Sequence, residues 1–157
     1  MNKSKKKFYK SGRRGLLSNY LEAIGIKTFS KNLEDIKLSN EKIYLICTKS
    51  ACQRQETLKA YNEDISWYQE LLKENEELNT KLVLIYISSQ TIYLDSNNFY
   101  AKSKIDIEKL LLSSNFEVLI LRFGFLLNDY DIPIQGVFSI MNKFNLGFPA
   151  SVPNFAS

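Results

Sequence analysis

An uninterrupted apolar run at residues 82–87, Leu-Val-Leu-Ile-Tyr-Ile, constrains the fold of this chain more than any other stretch. Its length and its β-branched residues are typical of a strand that is buried on both faces. Ser88 and Ser89 follow it directly, and after a short loop residues 103–112 have helical character. The sequence therefore predicts a buried strand that ends in two serines and leads through a loop into a helix.

Units of the same kind recur along the chain. Residues 43–47 and 116–125 are further apolar runs, and a long helical pattern covers about 53–77. Apolar residues recur in that pattern at intervals of three and four, which predicts one buried stripe made of Leu58, Tyr61, Ile65, Tyr68 and Leu72. A last helix is predicted at 136–144. Strands that alternate with helices favour an α/β fold, Rossmann-like and doubly wound, with a mostly parallel sheet and helices on both faces.

The length and the absence of a linker-like segment predict a single domain over residues 1–157. Seven of the 21 Lys and Arg residues lie among the first fourteen, and no acid lies among them. Such a basic arm can bind phosphate-rich partners, including nucleic acid. The favoured interpretation is a solvated tail that is disordered over residues 1–6, so we do not expect nucleic acid as a partner.

Composition excludes several kinds of chemistry. The chain has no histidine, which removes Ser-His-Asp and Cys-His nucleophiles and zinc sites with histidine ligands, and no metal site is predicted. Its two cysteines, Cys47 and Cys52, do not suggest a disulfide framework. No run approaches the ~18 apolar residues of a membrane span, and no apolar segment of a signal peptide follows the basic N-terminus. We therefore expect a cytoplasmic protein that does not enter a membrane.

A glycine turn stands near the N-terminus. Gly12 and Gly15 precede a helical pattern that Gly25 is expected to end. Such a turn at the start of a helix lets backbone N–H groups approach a pyrophosphate. Ser18 occupies the position of the third glycine, and the strand before the turn, residues 7–10, is polar. Dinucleotide binding and an ordinary turn before a helix therefore both stay open.

The second strand of such a unit usually ends near an acid that binds a ribose 2′-OH. Here a short strand around Ile26, Thr28 and Phe29 is followed by Ser30 and Lys31, which suit a 2′-phosphate better. If a dinucleotide binds, NADP is slightly favoured over NAD.

The helix after residues 82–87 carries a tyrosine and a lysine four positions apart. Tyr100 and Lys104 at this spacing lie on one helix face. An ammonium beside a phenol is expected to lower the tyrosine pKa, which would make Tyr100 a general acid/base with a serine hydroxyl to hold a substrate oxygen. The glycine turn, Thr48, the serines and the end of the 116–125 strand are expected to meet at one sheet edge.

Five local patterns, in order, resemble the extended short-chain dehydrogenase/reductase family, in particular its nucleotide-sugar epimerases, dehydratases and reductases. They are Gly12-x-x-Gly15 with its helix, Asp64-Ile65 leading to Leu71-Leu72, Ile87-Ser88-Ser89-Gln90-Thr91-Ile92-Tyr93, Tyr100-x-x-Ser103-Lys104-x-x-x-Glu108, and Leu121-Arg122-Phe123-Gly124. The third and fourth patterns are the specific ones. The resemblance covers roughly residues 7–150.

The resemblance implies an acid/base role for Tyr100, while Lys104 binds the nicotinamide ribose and Ser89 holds the reacting oxygen. It implies NAD or NADP as cofactor, a nucleotide-sugar substrate in polysaccharide biosynthesis, and a homodimer through helices at 54–75 and 98–113. The cofactor-binding residues expected are Gly12, Arg13, Arg14, Gly15, Leu16, Ser30, Lys31, Thr48, Ser88, Tyr100, Lys104 and Phe123.

The chain also departs from the family. Asp64 stands where the family has Asn, and the segment from Lys31 to Ile43 is too short for the usual third strand and helix. Most of the C-terminal substrate domain would follow residue 157. A second hypothesis is therefore a catalytically inactive Rossmann-fold remnant, or a module that dimerises or binds a dinucleotide without turnover.

Overall fold

The computed structural model describes most of the first 123 residues, namely 6–13, 15–29, 41–53, 55–93 and 97–123. All of these belong to one unit of the chain, Met1–Phe125. The predicted helix at 136–144 and residues 1–5 of the predicted tail lie outside the described residues. The single domain predicted over residues 1–157 also includes residues that lie outside the described ranges.

Five parallel strands form one sheet in the order β2-β1-β3-β4-β5. The strands are β1 (Lys7–Lys10), β2 (Lys27–Thr28), β3 (Ile43–Cys47), β4 (Leu82–Ser89) and β5 (Glu117–Phe123). All eight residues of β4 are buried, as the apolar run predicted. The parallel sheet confirms the predicted Rossmann-like α/β class.

Within the described ranges, three helices lie between these strands: α1 (Leu16–Ala23), α2 (Leu58–Glu74) and α3 (Phe99–Leu112). Short 3-10 helices follow α2 at Glu76–Leu78 and β4 at Gln90–Tyr93. The Thr57 hydroxyl accepts the Ala60 N–H at the start of α2, and Asn98 caps α3 in the same way. Gly25, at φ +89°, follows the end of α1, where a left-handed residue is needed.

The register of the strands assigns the helices to two faces of the sheet. Lys10, Ile46 and Ile85 are partners across three strands and therefore point to one face. Lys10 contacts Ser18 of α1 there. The helix α1 thus lies on this face.

The opposite face carries the main hydrophobic core. Leu45 and Leu84 point to this face and pack with Tyr68 of α2 and Ile107 of α3. Helices therefore cover both faces of the sheet, as predicted.

The buried line on α2 differs from the predicted stripe. It consists of Ala60, Asp64, Tyr68 and Leu71, while Leu58 is 57% exposed. The spacing of three and four residues predicted a neighbouring line of residues on the helix, because that pattern counts apolar residues only. Asp64 breaks the apolar pattern, yet its carboxylate bonds to the backbone of the loop after β3 and turns this line inward.

The polar strand β1 lies inside the sheet, between β2 and β3. A strand in this position normally carries apolar residues. Here Phe8 stacks on Tyr44 with ring centroids 4.9 Å apart, and the side chain of Lys10 is completely buried. The weak hydrophobicity of β1 is thus offset by one aromatic pair and by polar contacts of Lys10.

Candidate functional site

A cleft of about 1100 Å³ opens at the carboxyl edge of β1, β2 and β3 and continues along α2. It is lined by the glycine turn, by the residues that follow β2 and β3, and by one side of α2. Among the residues predicted for cofactor binding, the lining includes Gly12, Arg13, Gly15 and Thr48. The topology has therefore brought these four together, as parallel strands require.

Gly12 is held directly against Thr48. Its N–H donates to Thr48 Oγ1 at 3.1 Å, and a Cβ on Gly12 would come within 2.3 Å of the same oxygen. Ser11 Oγ accepts the N–H groups of Thr48 and Lys49 at 3.1 and 3.3 Å. A side chain at position 12 would displace the Thr48 hydroxyl and break this hydrogen bond, and the turns after β1 and β3 form one unit.

Gly15 adopts φ +115° at the start of α1 and lines the same cleft. Within the described part of the chain, no atom lies within 4 Å of where its Cβ would stand. The open space in front of Gly15 leaves room for a ligand group against the backbone, which is the fit that a dinucleotide phosphate requires. Three further predicted cofactor residues, Arg14, Ser30 and Lys31, lie outside the described residues, as does the side chain of Leu16.

Ser89, Tyr100 and Lys104 meet at the end of β4. Ser89 ends the strand, and its hydroxyl lies close enough to the phenol of Tyr100, near the start of α3, to act against the rise of the Tyr100 pKa. Lys104 Nζ lies 5.5 Å from the centroid of the Tyr100 ring. The three residues predicted to be catalytic therefore form one cluster.

Lys104 is buried, with 6% of its surface exposed. Its Nζ donates to the carbonyl of Ile87 at 2.9 Å and stands 5.0 Å from the centroid of the Tyr86 ring. Burial lowers the Lys104 pKa to about 8, although the negative charge of Asp64 opposes this shift. A lysine of this kind carries its charge at neutral pH and loses it under mildly alkaline conditions.

The expected lowering of the Tyr100 pKa is wrong. Burial raises the pKa of Tyr100 above its ordinary value, and the nearby hydroxyl of Ser89 only partly opposes this effect. Desolvation of the phenolate outweighs any help from the nearby ammonium, because Lys104 directs Nζ to the Ile87 carbonyl. Tyr100 therefore keeps its proton at neutral pH.

Glu108 of α3 and Arg122 of β5 form an ion pair beside the cluster of Ser89, Tyr100 and Lys104. Arg122 Nε donates to Glu108 Oε1 at 2.9 Å, and its guanidinium also contacts the hydroxyl of Tyr93. Burial alone would raise the Glu108 pKa, but the bonds and charge of Arg122 hold it below its usual range. Ser88 lies beside Glu108 rather than beside Tyr100. Phe123, which ends β5, pairs with Ser89 across the sheet.

Asp64 is a site residue to which sequence reasoning gave no role. It is fully buried, and its carboxylate accepts the N–H groups of Ala51 and Cys52 at 2.5 and 3.1 Å. Its charge raises the pKa values of both Lys104 and Tyr100. The sequence did contain a signal for the role of this residue. It is an acid within an amphipathic helix, at a position where the resembled family has an amide.

The cluster of Ser89, Tyr100 and Lys104 and the cleft are separate groups of residues in the described part of the chain. The lining of the cleft contains the glycine turn and Thr48, but not Ser88, Ser89, Tyr100, Lys104 or Phe123. Of the residues that were predicted to meet in a single crevice, only the glycine turn and Thr48 therefore line this cleft.

Comparison with models of known protein families and with curated proteins gives no match to this chain. Within the described ranges, no three residues of the types His, Cys, Asp and Glu are grouped so that they could hold a metal ion. No helix in the same ranges is both long and apolar enough to cross a membrane.

Proposed function

We propose that this protein is an NAD(P)-dependent epimerase, dehydratase or reductase of the short-chain dehydrogenase type, acting on a nucleotide sugar in polysaccharide biosynthesis in the cytoplasm. The observation that carries the proposal is the cluster in which Ser89 and Tyr100 lie beside the buried Lys104. Strand, serine, tyrosine and lysine occur in the order and spacing of that family, and they meet at the carboxyl end of a parallel strand, where α/β folds bind ligands.

The bound nicotinamide would supply the hydride donor or acceptor, and the chain would supply the proton. Tyr100 is protonated at neutral pH, as an ordinary phenol is, and burial raises its pKa further, so it is suited to donate a proton to a carbonyl oxygen. The Ser89 hydroxyl, which lies beside the phenol, would hold the same oxygen. Lys104 would bind the nicotinamide ribose and place a positive charge behind Tyr100.

The glycine turn and its cleft are the proposed site for the rest of the cofactor. Gly12 lies directly against the Thr48 hydroxyl, and Gly15 leaves open space in front of the backbone. Arg13, Lys49 and Lys59 line the cleft together with Glu63, Glu70 and Glu74, so a phosphate-bearing ligand would contact basic groups within a lining of balanced charge. We favour NADP over NAD because Ser30 and Lys31 follow the second strand in the sequence.

The second candidate is a binding module that holds a dinucleotide without turning it over. The separation of the cleft from Ser89, Tyr100 and Lys104 favours it. The raised Tyr100 pKa favours it as well, because a tyrosine that stays protonated is a poor general base for oxidation of an alcohol.

Cofactor titration followed by turnover separates these candidates. We expect NADPH fluorescence to report saturable binding below millimolar concentration, and a panel of UDP-, GDP- and dTDP-hexoses to give turnover with the bound cofactor. Tyr100→Phe should abolish turnover while the NADPH affinity stays within about twofold. Tyr20→Phe, on α1 at the other face of the sheet, is the matched control and should retain activity.

No NADPH or NADH binding at millimolar concentration would exclude both candidates. Binding without turnover of any sugar nucleotide would support the module, and full turnover by the Tyr100→Phe variant would refute the role of Tyr100.

A further inference from the structure

A completely buried lysine lies directly beneath the glycine turn. Lys10, the last residue of β1, donates from Nζ to the carbonyl of Gly12 at 2.8 Å and to Ser18 Oγ at 2.9 Å. Its third neighbour is Glu22 Oε2, at 3.4 Å. A lysine ammonium has three N–H donors, and burying it is costly unless they are satisfied. The partners of Lys10 lie in the turn and on α1, so its charge is tied to the conformation of this turn.

The Gly12 carbonyl is held by two donors at once. Besides Lys10 Nζ, the Ser18 hydroxyl donates to it at 2.6 Å. The C=O and N–H groups of a planar trans peptide point to opposite sides. With the Gly12 carbonyl turned inward, the N–H of Arg13 faces away from Lys10, on the side where Gly12 and Arg13 line the cleft.

We propose that Lys10 and Ser18 are positioning residues that lock the Gly12–Arg13 peptide with its N–H toward the cleft, so that the turn binds a pyrophosphate group. The identity of the ligand, a dinucleotide, rests on the function proposed above. Ser18 stands where the resembled pattern has its third glycine. The side chain that this position gains forms, with Lys10, the hydrogen bonds that orient the turn.

The charge of Lys10 adds to the orientation of the peptide. Its ion-pair partner Glu22 has a side chain that is 65% exposed, so water screens that carboxylate, while Lys10 itself is shielded from solvent. The positive field of Lys10 therefore extends into the turn. A doubly charged pyrophosphate gains more from this field than a neutral sugar does, which makes the site selective for the phosphate end of a ligand.

The lock is tested by calorimetric titration with inorganic pyrophosphate and, separately, with NADPH. Lys10→Met removes the ammonium and keeps the length of the side chain, so we expect both affinities to fall by about tenfold, as loss of a charge-assisted bond predicts. Ser18→Ala should reduce them by about threefold, and the double variant should fall by less than the product of the two, because both groups act on one carbonyl. Lys7→Met removes the same charge from the exposed start of β1 and should change neither affinity.

A second readout follows the orientation of the peptide itself. Addition of pyrophosphate should shift the amide resonance of Arg13 in nitrogen-15 correlation spectra of the wild type, and this shift should be lost in the Lys10→Met variant. Thermal unfolding of each variant shows whether the variant still folds. A loss of affinity that is caused by unfolding is recognised in this way. If Lys10→Met does not fold, the Ser18→Ala variant carries the same test.

The possible results separate this inference from the proposed function. If pyrophosphate binds the wild type but NADPH does not, the proposed cofactor is wrong and the lock stands. If Lys10→Met and Ser18→Ala bind pyrophosphate like the wild type, with the Arg13 shift intact, the lock is refuted even when NADPH binds. A wild type that binds neither molecule refutes both.

Discussion

Single buried polar residues decide most of the chemistry available to this protein. Burial lowers the pKa of Lys104 to about 8, and its Nζ donates to the Ile87 carbonyl, while the buried negative charge of Asp64 opposes this shift. Tyr100 responds in the opposite direction, because burial disfavours its charged form. The pKa values of the predicted acid/base pair thus move apart, to about 8 for Lys104 and above the ordinary 10.0 for Tyr100, so Lys104 loses its proton before Tyr100 does.

The lowered pKa of Lys104 predicts a specific dependence of stability on pH. Its pKa falls from 10.5 in the unfolded chain to about 8 in the folded one, so the unfolded chain binds more protons between these values. The contribution of Lys104 to the free energy of unfolding is therefore most unfavourable below pH 8 and becomes less so as pH rises. Relative to Lys104→Met, the wild type should gain about 1 kcal/mol between pH 7 and pH 9.

Urea unfolding of both proteins across this range measures the difference. Cys47, whose pKa burial raises to about 12, is present in both proteins, so its titration cancels in the comparison. A difference that stays constant from pH 7 to pH 9 would contradict the buried, titrating lysine.

At the scale of elements, each helix begins or ends where its sequence supplies a cap. The helix α2 begins after Thr57, whose hydroxyl accepts the Ala60 N–H at 3.2 Å. Thr57→Ala removes this acceptor and should lower the free energy of unfolding by about 1 kcal/mol, the usual value of an N-cap. Ser113→Ala, at the exposed carboxyl end of α3, is the control and should cost less than about 0.5 kcal/mol. Chemical denaturation measures both, and equal effects would contradict the capping role.

Whole-molecule behaviour is where the proposed dimer can be tested. The helices α2 and α3, which lie within the predicted dimerising segments 54–75 and 98–113, each expose one large apolar side chain, Leu58 and Leu112. If these helices form the dimer, the wild type should sediment at twice its 18.2 kDa mass at micromolar concentration.

Leu58→Glu and Leu112→Glu place a charge in that interface and should give the monomer, because an unpaired buried charge is costly. Asn19→Glu, on the exposed side of α1, adds the same charge elsewhere and should leave the dimer intact. Sedimentation velocity decides the question, and a wild type that is already monomeric would end the dimer proposal.

Prediction from sequence succeeded where a local pattern was sufficient. The strands β3 and β4, the turn at Gly25 and the order of strands and helices follow from runs of apolar residues and from glycine positions. The predicted cluster of Ser89, Tyr100 and Lys104 also formed, since the spacing of four along a helix and the serine at a strand end act over short distances.

Tertiary structure alone decided the roles of two buried charged residues and of the half-buried Tyr100. The sequence by itself determined the parallel α/β class, because buried strands and amphipathic helices leave few other arrangements. It could not show that Lys10 is buried inside the sheet, that Asp64 faces the core, or that the Tyr100 pKa rises instead of falling. Each depends on groups distant along the chain, and the free energy of a charged or ionisable group is set by the solvent and partners that the fold leaves around it.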